Sequence, residues 1–359
     1  MLPFLRSIFV PAAVFQSVIV GGAYGTGREV VEYISRFGPT GGIYAIAIIA
    51  VAFSVILAVS FEFGRKFAAW NYRTYLRNLL GNAWVLYELL FLALLVLILA
   101  ITGSAAGTVL SDRFGIPSNI GIGLMFLAVV ILNYFGRALV NRTLTLGAIL
   151  LVSVLALFFA YTLFYHNQNI VTEFSTNVAE PGWLQSGLTF AIYNSALIPA
   201  IIYCASGLKT SAQTISAGIL AGALGVLPAA IFHVSFMAGY PEVLTQQIPT
   251  YRMIEYLGLD ALLTLYVVIL FATIVQTGVG VLQGFNERLD GWRQEVKGQP
   301  FSQLQHALMA GALLLLSLLM AKFGIVDLVA KGYSTIAWGF VIVFTIPTLT
   351  IGLYKITRV

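Results

Sequence analysis

Charged side chains interrupt this chain at long intervals, and the intervals are apolar. Ten stretches of at least 21 residues hold no Asp, Glu, Lys or Arg: 7–27, 37–61, 89–111, 114–136, 143–172, 181–208, 210–241, 261–286, 298–321 and 332–354. A helix needs about 20 apolar residues to cross the hydrocarbon core of a bilayer. The pattern therefore predicts ten membrane-spanning helices, numbered here 1 to 10. Runs such as Leu89 to Leu99 do not alternate, which excludes an outer-membrane barrel. The longest segment between spans, 62–88, is too short for a soluble domain.

Composition agrees. Of 359 residues, 9% are charged and 59% hydrophobic, where a soluble domain carries about 25% charge. Mean hydropathy is +0.93. The single cysteine, Cys204, lies within a span and has no internal disulfide partner. The net charge of +5 is spread over short loops, so it reports topology rather than nucleic-acid binding. With the N-terminus in the cytoplasm, thirteen basic residues fall inside. Six fall outside: Arg28, Arg36, Arg113, Arg252, Lys322 and Lys331. The asymmetry predicts a multi-pass protein of the cell (inner) membrane with both termini cytoplasmic. The expected partners are the lipid bilayer and a small-molecule solute, with no nucleic acid. Oligomeric state is not legible.

Two outer segments stand apart, 165–184 and 240–257. Either they are solvated connectors or they cap an outward vestibule. Ten helices divide into five plus five, and because five is odd the second half enters the membrane inverted. A shift of 175 residues sets Ile101-Thr102-Gly103 on Gln276-Thr277-Gly278, and Gly21–Gly27 on Ala196–Ile202. The expected organisation is a first five-helix repeat over 1–164, an extracellular connector over 165–182, and a second, inverted repeat over 183–359. Inverted repeats with interrupted helices at matching positions point to a secondary transporter.

The most informative stretch is Val20-Gly21-Gly22-Ala23-Tyr24-Gly25-Thr26-Gly27-Arg28-Glu29. Four glycines in seven residues sit in the first span. Each costs up to about 1 kcal/mol of helix propensity relative to Ala. Tight helix packing needs fewer small residues, so the density predicts unwound backbone, tolerable at membrane depth only where it is buried in protein or lines a polar cavity. Freed carbonyls can hold a cation, and freed N–H groups an anion. Arg28, Glu29 and Glu32 follow at once. Arg28 is read either as an ion pair with Glu29 or with Glu32 at i+4, or as an anion clamp or gate. In helix 6, Pro199 removes a backbone donor, and Tyr193, Asn194 and Ser195 precede it. In helix 8, Thr273, Gln276 and Thr277 share one face. Glu88 begins helix 3, as an interfacial group or a proton carrier. His233 is read as a satisfied buried histidine. Trp and Tyr near helix ends are read as interface anchors.

Ten helices with a glycine-broken first helix resemble the LeuT-type fold of the amino acid–polyamine–organocation superfamily. Within it, Val20 to Glu29 resembles the YkvI-like membrane proteins, whose glycine-rich run typically ends Ser-Gly-Gln-Glu. Here it ends Thr26-Gly27-Arg28-Glu29, with Arg28 in the place of Gln. The resemblance implies an all-α polytopic protein with broken helices 1 and 6. It also implies a sodium site built from the carbonyls of Gly21 and Tyr24, the Thr273 carbonyl and the Thr277 hydroxyl. Gln276 stands where relatives often have a second hydroxyl. Span 143–172 lacks the helix 5 Lys that some proton-coupled relatives use.

The expected function is an ion-coupled secondary active transporter of a small polar organic solute, most simply an amino acid or related compound, working by alternating access. The solute is expected to contact Gly22, Ala23, Thr26, Gly27, Thr102, Tyr193, Asn194, Ser195 and Gln276. Arg28, Glu29, Glu32 and Glu88 are the gating or coupling candidates. Na+ is the expected coupling ion and H+, through Glu29 or Glu88, the alternative; no cofactor is expected. Two alternatives stand beside this: a solute-sensing, germinant-receptor-like subunit on a transporter fold, and a transporter of amines or nucleobase-like solutes. His166, His233 and His306 form no metal motif and no catalytic constellation is visible, so no enzyme is expected.

Overall fold

A computed structural model describes residues 2–21, 24–135, 137–258, 260–299 and 301–358. Gly22 and Ala23 lie outside the described residues. Among the described residues there are helices and no strands. The first span is split, with α1 (Leu2–Ile19) and α2 (Arg28–Tyr33) on either side of the glycine-rich segment. Then come α3 (Gly38–Lys66), α4 (Tyr72–Leu80), α5 (Trp84–Phe114), α6 (Ser118–Phe135) and α7 (Arg137–Tyr165). The short α8 (Asn167–Thr176) bends 76° from α7. A second split pair follows, α9 (Trp183–Ser195) and α10 (Ile198–Ile201). The chain continues through α11 (Ser211–Phe236), α12 (Pro249–Tyr256), α13 (Asp260–Lys297) and α14 (Gln303–Ala321). A last helical span, Ile325–Arg358 (α15), includes π turns at Leu328–Tyr333.

The charge gaps mark apolar runs, and the helices do not end where the gaps end. α5 takes in Glu88 and Asp112, and α13 runs on through Arg288 to Lys297, because a helix keeps its own backbone bonds when it leaves the apolar phase. Among the described residues, seven helices are long and apolar enough to cross a membrane, or eight if the bent α7–α8 pair is one span. Ser7–Ile19 and Ser118–Asn133 are apolar but shorter. Length alone thus does not reproduce ten spans, since unwinding at Val20 truncates α1. Local signals start two helices: Thr210 with Gln213, and Ser302 with Gln305, form reciprocal capping boxes for α11 and α14.

Packing sorts the helices into two groups. α1, α3, α9 and α11 form one, with α3 lying along both α9 and α11. α5, α6, α7, α13 and α14 form the other, and α15 touches both α9 and α5. The α3–α11 crossing is close because of Gly218 and Gly222, four residues apart. A Cβ at Gly218 would stand 2.5 Å from Ala58 N, and one at Gly222 2.2 Å from Ser54 Oγ. Such small-residue faces let helices approach where lipid offers no hydrophobic drive. Large apolar side chains are exposed on the outside of the bundle, among them Leu157, Leu315, Leu319 and Ile342. The pattern suits a lipid-facing surface.

Candidate solute and ion site at two broken helices

The ladder of α1 ends with Val20 N–H donating to Gln16 O and resumes with Val31 N–H donating to Gly27 O. Between them the backbone makes tighter turns: Tyr24 N–H to Gly21 O and Gly27 N–H to Tyr24 O, each 3.0 Å. Gly27 sits at φ 77°, a left-handed conformation that costs an L side chain about 1–2 kcal/mol. Its surroundings also exclude a side chain. A Cβ there would lie 2.4 Å from Phe236 Cζ and 2.7 Å from Thr250 Oγ1. α12 and α11 therefore press directly on the break.

The second break lies at Ala196–Leu197, between α9 and α10, where Pro199 supplies no N–H. At each break a tyrosine from the other helix group donates to a freed carbonyl. Tyr266 OH of α13 bonds Gly25 O at 2.9 Å. Tyr87 OH of α5 bonds Ala196 O. Both tyrosines are fully buried. They answer the requirement that unwound backbone be satisfied within protein.

One hydrogen bond ties the two broken spans together: Tyr193 OH of α9 donates to Glu29 Oε2 of α2 at 2.6 Å. Glu29 is 5% exposed. Around it the aromatic rings close in. Tyr193 stacks on Tyr333 with centroids 4.3 Å apart, and Tyr33 lies 5.5 Å from Tyr193. Tyr33 OH donates to Val329 O at 2.7 Å, fastening α2 to α15.

Arg28 turns the other way. Its Nη2 lies 2.9 Å from Glu32 Oε2, and Nη1 donates to Leu244 O and Gln246 O. Arg36 Nη1 also pairs with Glu32. A buried guanidinium costs several kcal/mol of desolvation unless paired, and here one carboxylate and two carbonyls meet it. The pair joins α2 to segment 242–246. The connector also packs inward: α8 is helical, and Glu180 N–H donates to Phe37 O at 2.9 Å.

The expected ion ligands come together in part. A Cβ on Gly21 would stand 3.5 Å from Thr277 Oγ1, so the broken helix touches α13 at this hydroxyl. Thr277 Oγ1 donates to Thr273 O at 3.1 Å, and Thr273 Oγ1 to Ile269 O. A hydroxyl that donates within its helix still carries acceptor lone pairs. Tyr24 is buried, and its hydroxyl has no hydrogen-bond partner among the described residues.

Of the expected solute contacts, Thr26 Oγ1 accepts from Arg28 N–H at 3.2 Å, and Ser195 Oγ is buried with no hydrogen-bond partner among the described residues. Asn194 Nδ2 donates back to Phe190 O, and Thr102 Oγ1 back to Ile98 O and Leu99 O. Gln276 is half-buried. The shared Thr-Gly of α5 and α13 has a packing role, since Gly103 and Gly278 both receive side chains of α6, Phe126 and Val129 respectively.

Glu88 belongs to a different cluster. It accepts from Tyr72 OH at 2.5 Å, and Arg288 lies over the rings of Tyr72 and Phe91 at 4.1 and 3.8 Å. These groups line a cavity of ≈630 Å³ between α4, α5, the end of α13 and the segment after α10. His233 is buried, with Ser35 Oγ on Nδ1 and Pro39 O on Nε2, both at 2.9 Å. The tyrosines are what reading the sequence missed. Tyr33 and Tyr87, near helix ends, are buried network members rather than interface anchors. Their partners, Val329 for Tyr33 and Ala196 for Tyr87, stand 296 and 109 residues away, so no local signal marked them.

No family model matches the chain. Its sequence is 23% identical over 292 residues to the uncharacterized membrane protein YkvI of Bacillus subtilis (strain 168), covering 78% of this chain and 80% of that one. Its structure is similar to MhsT in complex with L-phenylalanine, with a TM-score of 0.65, 18% identity, and 94% of this chain and 87% of that one covered. It is also similar to a substrate-bound, outward-open Na+-coupled sialic acid symporter, with a TM-score of 0.54, 14% identity, and coverage of 97% and 87%. The chain is a multi-pass membrane protein with the LeuT-type fold.

Proposed function

We propose that this protein is an ion-coupled secondary transporter of a small polar organic solute, an amino acid or related compound, working by alternating access. The observation that carries the reading is the pair of broken helices, joined by Glu29 and Tyr193 and enclosed between two helix groups. Discontinuous helices at membrane depth supply the backbone groups that solute and ion sites need. The solute lies against Thr26, Gly27, Tyr193 and Ser195; Gly22 and Ala23 are further expected contacts that lie outside the described residues. Asn194, Thr102 and Gln276 are secondary, because the first two bond back to their own helices. Gating falls to Arg28 and Glu32, which join α2 to the outer segment.

The membrane organisation follows from the same reading. The short helices Ser7–Ile19 and Ser118–Asn133, added to the seven long spans and the bent pair, complete ten crossings. They divide into repeats over 1–164 and 183–359, joined by an outer connector over 165–182. Both termini face the cytoplasm of the cell (inner) membrane. The cavity beside Glu88 then opens inward, and α1, α3, α9 and α11 rock against α5, α6, α13 and α14.

Na+ is the coupling ion of choice, held by the carbonyls of Gly21, Tyr24 and Thr273 and the hydroxyl of Thr277. The approach of Gly21 to Thr277 supports this placement, and hard oxygen donors suit such a cation. H+ through Glu29 or Glu88 is the alternative. Solute uptake into proteoliposomes, across amino acid, amine and nucleobase panels with either gradient imposed, tests the reading. Uptake driven by a sodium gradient is expected, and Thr277→Ala is expected to weaken its sodium dependence by at least about tenfold. No uptake with any gradient overturns the function. Unchanged sodium dependence in Thr277→Ala overturns the ion site alone.

A further inference from the structure

Among the described residues no cationic side chain pairs with Glu29. Among the described residues its hydrogen-bond partner is the Tyr193 hydroxyl, and no ion pair reaches it. The neighbouring cations are committed elsewhere: Arg28 to Glu32 and two carbonyls, Arg36 to Glu32. Because Tyr193 donates, it holds one carboxylate oxygen, Oε2, and leaves Oε1 open. Removing an ionised carboxylate from water is expensive unless a cation meets it. The missing partner is therefore positive, either a proton or a cation that arrives from outside the chain.

The walls indicate what kind of cation it is. Tyr33, Tyr193 and Tyr333 form a connected aromatic cluster at the carboxylate, two of them stacked in parallel. Tyr24, in the break just before Glu29, has a buried hydroxyl with no hydrogen-bond partner among the described residues. Ring faces attract organic cations. A metal ion prefers a shell of hard oxygens, and that shell is better matched beside Gly21 and Thr277.

We infer that Glu29 is the anchor for a protonated nitrogen of the solute, so that this site selects solutes bearing an ammonium group. The inference rests on the transporter reading and narrows its solute class. Tyr193 positions the carboxylate, and the tyrosine rings flank the incoming ammonium.

The test compares matched pairs that differ by an amine and a hydroxyl: leucine with 2-hydroxy-4-methylpentanoate, phenethylamine with 2-phenylethanol, and cyclohexylamine with cyclohexanol. Binding is measured by calorimetry on the full chain in lipid nanodiscs, with and without sodium. For at least one pair the amine is expected to bind at least about tenfold more tightly, as a charge-assisted hydrogen bond requires. Glu29→Gln is expected to erase that preference, and Glu29→Asp to keep part of it. Equal binding of amine and hydroxyl members by the wild type overturns the inference while leaving the transporter reading standing, and it does so even if the variants fail to fold. An amine preference intact in Glu29→Gln, with sodium dependence lost, also overturns it and makes Glu29 an ion ligand. Binding of no member of any pair, with or without sodium, overturns the inference, and the uptake panels decide the transporter reading separately.

Discussion

Gly27 carries two constraints at once, a left-handed backbone and a wall of Phe236 and Thr250 where a side chain would stand. Gly27→Ala is expected to destabilise the protein by about 2 kcal/mol or more, from strain and overpacking together. Thermal unfolding in detergent measures the loss, and a melting temperature equal to wild type would contradict the geometry. The glycine run was legible in the sequence because composition alone reports it. Its partners were not. Tyr193 stands 164 residues from Glu29, and Tyr266 stands 241 from Gly25, and no local pattern links positions so far apart. Arg28 was legible as far as its i+4 partner, Glu32, since helical spacing dictates that contact. Its bonds to Leu244 and Gln246 depend on how an outer segment folds back.

Helices were visible as apolar runs, but their ends and breaks follow backbone hydrogen bonding. The charge gap at 7–27 reads as one span, yet the ladder stops at Val20. At 261–286 the gap is shorter than α13. The close crossing of α3 and α11 went unread, because glycines four apart in an apolar run do not declare their neighbour. Gly222→Val places a branched side chain against Ser54 and the α3 backbone. It is expected to cost at least about 1–3 kcal/mol and to lower the melting temperature. Gly311→Ala in α14 is the control, because a Cβ there meets nothing within 4 Å. Removing that glycine from a helix is expected to be neutral or stabilising by up to about 1 kcal/mol. Equal loss in both variants would show that the effect is not one of packing.

At the scale of the whole molecule, the division into two helix groups is what packing adds to the apolar pattern. α1 and α9 belong to one group, and α5 and α13 to the other. Tyr87 and Tyr266 bridge that division, each from an unbroken helix to the carbonyl of a broken one. Under the topology proposed above, Tyr87 stands toward the cytoplasmic start of α5 and Tyr266 toward the outer start of α13, so the two bridges belong to opposite sides of the membrane. They are therefore a balance. If the two groups rock by alternating access as proposed, opening one face lengthens the bridge on that side and relieves the other, so each phenol weighs for a different end of the cycle. Tyr87→Phe and Tyr266→Phe are expected to shift the ratio of outward-open to inward-open molecules in opposite directions. Spin-label distances between α3 and α5, measured on both sides of the bilayer, read that ratio. A shift in the same direction for both variants would mean that the two bonds act as static fasteners. If the shifts oppose, the set point between the two faces is written in two hydroxyl groups, and it can be retuned one oxygen atom at a time.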